Sequence, residues 1–318
     1  MTNKRSTAPD QPLPQLPQAH GVLVLHKPSG PTSARCLNLL KRMGQKKIGH
    51  AGTLDPLASG VLLVLLGQAT KLSGHLLADG GKIYSGCFRL GQTTDTWDIQ
   101  GQVTAEAPWQ DVTEAQVREA IADWRHLREQ PVPPYSAAKH EGQPLYRLAR
   151  KGLAAPAKVK RMEISQADTL DVSLPFVRFR VVCSSGTYIR SLAHSLGMRL
   201  GCGAVLTELT REYSHPFGLD VACEMQALMA DPTLLARGVR PIIEALPHWP
   251  RVTVTPFQAQ KVRNGMALPC AATPLPEGAP VREDGQAIML CGGEALALVR
   301  QQATPAGLCW AVVRGLWN

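Results

Sequence analysis

The chain has 318 residues with 44% apolar, 19% charged and 5% aromatic content, a formal net charge of +9 and a pI near 9.3. That is the balance of a globular protein able to bury a core, and its longest apolar runs, Val61 to Leu66 among them, are far too short for a membrane-crossing helix. The positive charge is concentrated: residues 1–60 hold eight basic residues against two acids, and residues 136–161 hold seven against one, a pattern that points to a polyanionic partner such as nucleic acid.

Taken in chain order, residues 1–20 are rich in Pro and Gln and read as a disordered leader. Val22–Leu25 reads as a strand, Pro28-Ser29-Gly30-Pro31 as a turn, and Thr32 or Ser33 caps a helix that ends near Gly44. Gly49 to Gly60 is a glycine-rich polar stretch feeding into Val61–Leu66, a central strand. Ala69–Ala78 reads as a helix, and Lys82–Leu90 as a strand with Gly101–Ala105 as its partner. Thr113 and Gln116 form a capping box for a helix reaching about His126. Prolines 131, 133 and 134 interrupt the chain before a basic, partly helical segment that runs to Arg161.

Residues 162–172 and 176–183 read as an antiparallel pair; Thr187 caps a helix to about Leu200, and Ala204–Tyr213 is a further strand. The order predicts an α+β fold with a mixed, mostly antiparallel central sheet flanked by helices. A boundary falls near Trp249-Pro250, so residues 21–249 form the main domain and residues 250–318 a small β-rich one, built from runs at Val252–Thr255, Ala287–Cys291, Leu296–Val299 and Trp310–Val313.

The eight cysteines include no C-x-x-C pair and no accompanying His-x3–5-His, which argues against zinc; in their apolar contexts they read as reduced thiols of a cytoplasmic protein. No phosphate-cradling glycine motif or metal-ligand cluster stands out.

The segment Gly49-His50-Ala51-Gly52-Thr53-Leu54-Asp55-Pro56-Leu57-Ala58-Ser59-Gly60 carries the chemistry. It sets one carboxylate, Asp55, and one imidazole, His50, on a compact loop; Pro56 restricts Asp55 to extended backbone. Alone, Asp-Pro is a common turn pair. The segment resembles the signature loop of the TruB family of tRNA pseudouridine synthases, shared with the dyskerin family. So do Lys27–Ser33, Lys82-Ile83-Tyr84, Arg89–Thr96, Pro134–Lys139 and Ser185-Gly186-Thr187-Tyr188-Ile189-Arg190, in the family's order across residues 21–215 and with the spacing of its bacterial members.

The resemblance implies isomerisation of uridine-55 in the T-arm of tRNA without a cofactor. It implies Asp55 as the catalytic carboxylate, attacking ribose C1′ or removing a C2′ proton; the sequence leaves both open. Arg190 would pair with Asp55, Tyr84 would stack on the uracil, Tyr188 would pack beside Asp55, and Leu209 would pack on the target base. His50 would fill the space left by the flipped nucleotide. Lys27, Lys46, Lys47 and Lys139 are expected to bind RNA, residues 134–161 to form an RNA-clamping insertion, and residues 250–318 a domain of the PUA type. The expected partner is tRNA, met by a monomer with no protein partner or membrane. Two positions depart from the family pattern: His26 stands where Asp is common, and Thr210-Arg211-Glu212 replaces an expected pair of arginines, which puts a local RNA contact or the partner of Asp55 in doubt. A tRNA-folding module without chemistry, or a synthase for another RNA working in a guide-RNA particle, are the competing readings.

Overall fold

The structure is a computed structural model that describes residues 13–78, 80–151, 158–280 and 282–317. Its frame is one large sheet with the strand order β5-β6-β4-β7-β3-β1, in which β1 is Gly21–Lys27, β3 Ser59–Leu66, β4 Lys82–Leu90, β5 Ile164–Ser173, β6 Phe176–Cys183 and β7 Ala204–Ser214. A short β2, Ile48–Ala51, pairs with β3. Neighbours are antiparallel except at the centre, where β7 meets β3 in parallel through Thr210↔Ser59 and Arg211↔Gly60, and at the end of the sheet, where the two-residue strand Cys223–Glu224 lies parallel to β1. The mixed, mostly antiparallel sheet is the one the element order predicts.

The unbroken apolar runs of β1 and β3 follow from their position. Successive side chains in a strand face opposite ways. Leu23, Leu25, Leu62 and Val64 join one core, with Cys36, Leu37 and Leu40 of helix α1 (Ser33–Arg42), Val117 and Ile121 of α2 (Glu114–Ala122), and Ile189, Leu192 and Leu196 of α3 (Ile189–Arg199). Val22, Val24, Val61, Leu63 and Leu65 face the other way and join a second core with Leu72, Leu76 and Trp249 and with Ile288, Leu290, Leu298 and Leu316 of the C-terminal part. A strand buried on both faces needs no polar alternation. Residues 251–315 build a separate five-stranded sheet around a third core that includes Val252, Ala259, Met289 and Trp310. Among the described residues no helix is long and apolar enough to cross a membrane.

Local signals fix the helices. Thr32 accepts from the Arg35 amide and caps α1; Thr113 and Gln116 form the expected capping box of α2. Four expectations change. Residues 13–20 are not disordered: the Leu16 amide donates to Met43 O and Gln45 bonds Ala19 N and Pro17 O, tying this segment to the end of α1, while residues 1–12 lie outside the described residues. Leu13, Leu16 and Ala19 pack against the first core, and the glutamine–backbone bonds add to that burial. Ala69–Ala78 is split, a 3-10 turn over Gly67–Leu72 followed by a short α-helix over Ser73–Ala78. The partners of β4 are β6 and β7, whereas Val103–Glu106 pairs with Gln92–Thr94; the sequence separation to β6, from Arg89↔Phe176 to Lys82↔Cys183, hides the true pairing. Tyr188, not Thr187, is the N-cap of α3, and the Thr187 hydroxyl donates back to Ser184 O.

The crossing of β3 and β7 admits only glycine at position 60. Its φ is +104°, and an added Cβ would lie 2.2 Å from the Arg211 carbonyl oxygen. Gly60→Ala is expected to lower unfolding free energy by about 3 kcal/mol in chemical denaturation; an unchanged midpoint would show that the crossing relaxes freely.

Candidate active site

The loop between β2 and β3 lifts Asp55 to the edge of the sheet, where its side chain is 38% exposed. Three buried side chains hold the loop by its backbone. The Ser33 hydroxyl donates to Leu54 O at 3.0 Å and accepts from Leu54 N at 2.9 Å. Lys27 Nζ donates to Pro28 O at 2.8 Å and Ala58 O at 2.6 Å, with Pro56 O at 3.4 Å. Arg211, 1% exposed, reaches from β7 to Val61 O at 2.7 Å, Gly52 O at 3.0 Å and Thr53 O at 3.4 Å. A carbonyl accepts without moving, so these contacts fix the path of the loop on both sides of Asp55.

The carboxylate itself meets Arg190 in the first turn of α3. Arg190 Nε donates to Asp55 Oδ2 at 2.9 Å, Nη1 to Thr96 O at 2.7 Å and Nη2 to Tyr135 O at 2.9 Å. Asp98 Oδ2 lies 3.8 Å from the same Nε. Its other oxygen accepts from Thr96 Oγ1 and the Gln100 amide, and burial pushes the Asp98 carboxyl up against these contacts and the Arg190 charge. Asp55 Oδ1 has no hydrogen-bond partner among the described residues, which leaves lone pairs open on the solvent side.

Tyr84 and Tyr188 lie within electrostatic reach of Asp55. Burial raises the pKa of both phenols, so both are neutral at pH 7; at Tyr84 the Arg211 guanidinium pulls the other way, and at Tyr188 the Arg190 charge does. Tyr188 is anchored through its amide, which donates to Gln130 Oε1 at 3.1 Å. Leu209 sits in β7 opposite Gly86, 7% exposed, in the core that also holds Tyr84. His50 is half-buried on β2; its Nδ1 is buried without a partner, and burial, aided by Arg211, lowers its pKa, so the ring is uncharged at neutral pH.

The structure thus gathers Asp55, Arg190, Tyr84 and Tyr188. The lysines fall elsewhere. Lys46 and Lys47 are exposed at the start of β2, and Lys139 is exposed in a two-residue strand whose carbonyl accepts from Lys158. Residues 152–157 of the insertion lie outside the described residues. Lys27 is a correction: it is fully buried and its ammonium is spent on three carbonyls, so it supports the loop and does not meet solvent or phosphate. The two departures also resolve. His26 pairs through Nδ1 with Glu224, a support contact on the parallel neighbour of β1. Arg211 secures the loop while Glu212 pairs with Arg180 at 2.8 Å, and the partner of Asp55 remains Arg190.

Asp98 and Arg211 were not among the expected site residues. Asp98 lies two residues past the Arg89–Thr96 motif, and a second acid after Asp95 was its only signal. Arg211 stood out only as a departure.

The fold that carries this site is found in solved structures. A chain of an H/ACA ribonucleoprotein bound to a substrate RNA containing 2′-deoxyuridine superposes with a TM-score of 0.68 at 24% identity, over 98% of this chain and 92% of that one, and so shows the fold. The profile of the TruB family pseudouridylate synthase, N-terminal domain, matches residues 40–189. The tRNA pseudouridine synthase B of Nitratidesulfovibrio vulgaris (strain Hildenborough) is 61% identical over 302 residues, 95% of this chain and 99% of that protein. That of Oleidesulfovibrio alaskensis (strain G20) is 57% identical over 305 residues, 96% of this chain and 98% of that protein. The chain belongs to the TruB family of pseudouridylate synthases.

The buried ammonium of Lys27 has a consequence for stability. Desolvation lowers its pKa from 10.5 to about 8 in the folded protein, partly offset by Asp55. Between those values the unfolded chain binds more protons, so stability rises with pH across that window, by up to about 1.4 kcal/mol per pH unit from this group. Unfolding free energies measured from pH 8 to 10 should rise more steeply for wild type than for Lys27→Met; parallel curves would refute the shift.

Proposed function

We propose that the protein is a tRNA pseudouridine synthase that isomerises uridine-55 of the T-arm, with Asp55 as its essential carboxylate. The observation that carries this reading is the Asp55–Arg190 pair at 2.9 Å, which presents one fixed carboxylate with a free oxygen at the open edge of the loop. The family membership and the full-length relatives named tRNA pseudouridine synthase B support the substrate class.

In the reaction the C1′–N1 bond of uridine breaks, the uracil turns, C1′ bonds to C5, and the C5 proton leaves to solvent while N1 gains one. The carboxylate serves either as nucleophile at C1′ or as base at C2′. Both routes require an ionised, oriented Asp55, and Arg190 supplies the orientation through a rigid guanidinium fork. Tyr84 gives the uracil a neutral aromatic face to stack on, with Leu209 packing beside it, and Tyr188 closes the side near Asp55. A base paired or stacked in the T-loop must be flipped out, at a cost of a few kcal/mol. The uncharged ring of His50 fills the vacated space without carrying a desolvated charge into the stack. The exposed Lys46, Lys47 and Lys139 grip phosphates, residues 134–161 close over the RNA, and the C-terminal domain, of the PUA type, extends the contact. The protein acts as a cytoplasmic monomer.

Tritium release from tRNA labelled at uridine C5 tests the chemistry. Wild type is expected to release label, and Asp55→Asn to lose at least a thousandfold in rate, about 4 kcal/mol of barrier, while still binding tRNA. Equal rates in the two proteins would remove Asp55 from the mechanism. Binding is expected to weaken steeply with salt, and replacing Lys46 and Lys47 together by Met should reduce the log–log slope by about 1.4 to 1.8. An unchanged slope would take both lysines out of the interface.

A further inference from the structure

Lys82 opens β4 and is 5% exposed, yet its Nζ donates to a neutral partner, Ser185 Oγ, at 3.0 Å, and no carboxylate pairs with it among the described residues. An ammonium has three N–H donors, so two are uncommitted. The neighbouring charges have the same sign: Arg211 and Lys160. The one nearby acid, the Cys183 thiol, is pushed up by burial to about 11 and supplies no counter-charge at neutral pH. Desolvation and Arg211 bring Lys82 down to about 8, which leaves it mostly protonated at pH 7. A buried cation beside like charges is costly unless an anion completes the site.

The position of Lys82 says which anion. Lys82 and Tyr84 are two residues apart on one strand and share a face, which places them about 7 Å apart along it. Tyr84 in turn lies within reach of Asp55. On one side is the catalytic loop, where a Cβ added at Gly52 would lie 3.6 Å from Lys82 Cε. On the other is the Ser184–Thr187 turn, where the exposed Lys160 folds over Gly186 and its Nζ stands 6.0 Å from the centre of the Tyr188 ring. Two ammonium groups and a hydroxyl therefore gather beside the catalytic loop, one step along the strand from the tyrosine proposed to stack on the base. Ammonium groups act as point charges and suit a phosphate oxygen without demanding a planar partner.

We infer that Lys82, Lys160 and Ser185 form a subsite for a single phosphodiester of the RNA, next to the nucleotide whose base reaches Tyr84. The inference rests on the proposed RNA substrate and deepens it. The contact carries no base information; it sets the register of the backbone so that one nucleotide, and not its neighbour, meets Asp55. It also completes a cationic site that the protein's own side chains leave uncompensated.

The test uses the full chain and T-arm stem–loops in which a neutral methylphosphonate replaces one phosphate at a time around the target uridine, with 2′-O-methyl on the preceding sugar for stability. Binding is measured for wild type, Lys82→Met and Lys160→Met. Lys160 is exposed, so its variant keeps the test valid if Lys82→Met does not fold. One methylphosphonate position is expected to weaken wild-type binding about tenfold, the size of a lost charge-assisted contact, and to weaken binding to either variant less than twofold. If the losses multiply at every phosphate, the lysines and phosphates act independently and the subsite is overturned. Wild type that neither binds nor releases tritium from unmodified RNA would overturn the proposed function along with it; normal wild-type turnover with independent losses overturns the subsite alone.

Discussion

The guanidinium of Arg190 joins four separate parts of the chain at one point. From the start of α3 it bonds the catalytic loop through Asp55, the stretch after β4 through Thr96 O, and the insertion through Tyr135 O, with Asp98 behind it. Each hydrogen bond to a charged group contributes about 1.5–3 kcal/mol, and a group 5% exposed has no water to replace them. The fixed fork makes the direction of the Asp55 carboxylate a property of all these segments at once. Asp98 belongs to the same unit: without the arginine it would be a buried carboxyl facing only neutral donors.

Beneath the loop a different principle operates. Lys27 and Arg211 are buried cations satisfied by carbonyl dipoles and not by carboxylates. Carbonyls settle the hydrogen bonds and leave the net charge in place. By contrast, Arg178–Glu208 and Arg180–Glu212 on the outer part of the sheet cancel in pairs. Positive potential therefore persists where the loop opens, and a polyanion approaching that edge meets a field that salt bridges elsewhere have removed.

Much of this was legible in the residues. Thr32, Thr113 and Gln116 marked helix starts because capping is local, and Val61–Leu66 announced a doubly buried strand by its lack of alternation. The glycine-rich loop pointed to Asp55, since tight turns and a proline-fixed backbone leave their own composition. What the residues did not tell is nonlocal. That Tyr84 lies opposite Arg211, that Lys27 points inward, and that a serine at position 33 grips Leu54 all depend on which strand neighbours which. A basic residue in a motif reads as solvent-facing until the sheet places it, which is why Lys27 was expected at the RNA and Arg211 was not expected at the site.

The second core has a consequence for how the molecule behaves as a whole. Ile288, Leu290, Leu298 and Leu316 close the back of β1 and β3, strands whose front carries the active-site loop and its anchors. Were the C-terminal sheet to peel away, part of the apolar face that Val22, Val24, Val61, Leu63 and Leu65 share with Leu72, Leu76 and Trp249 would meet water. The rear unit is thus a wall of the catalytic sheet's foundation as well as the proposed extension of the RNA contact. Its loss would register first as aggregation of the catalytic half, and a lineage could exchange it only for another domain that presents the same apolar face.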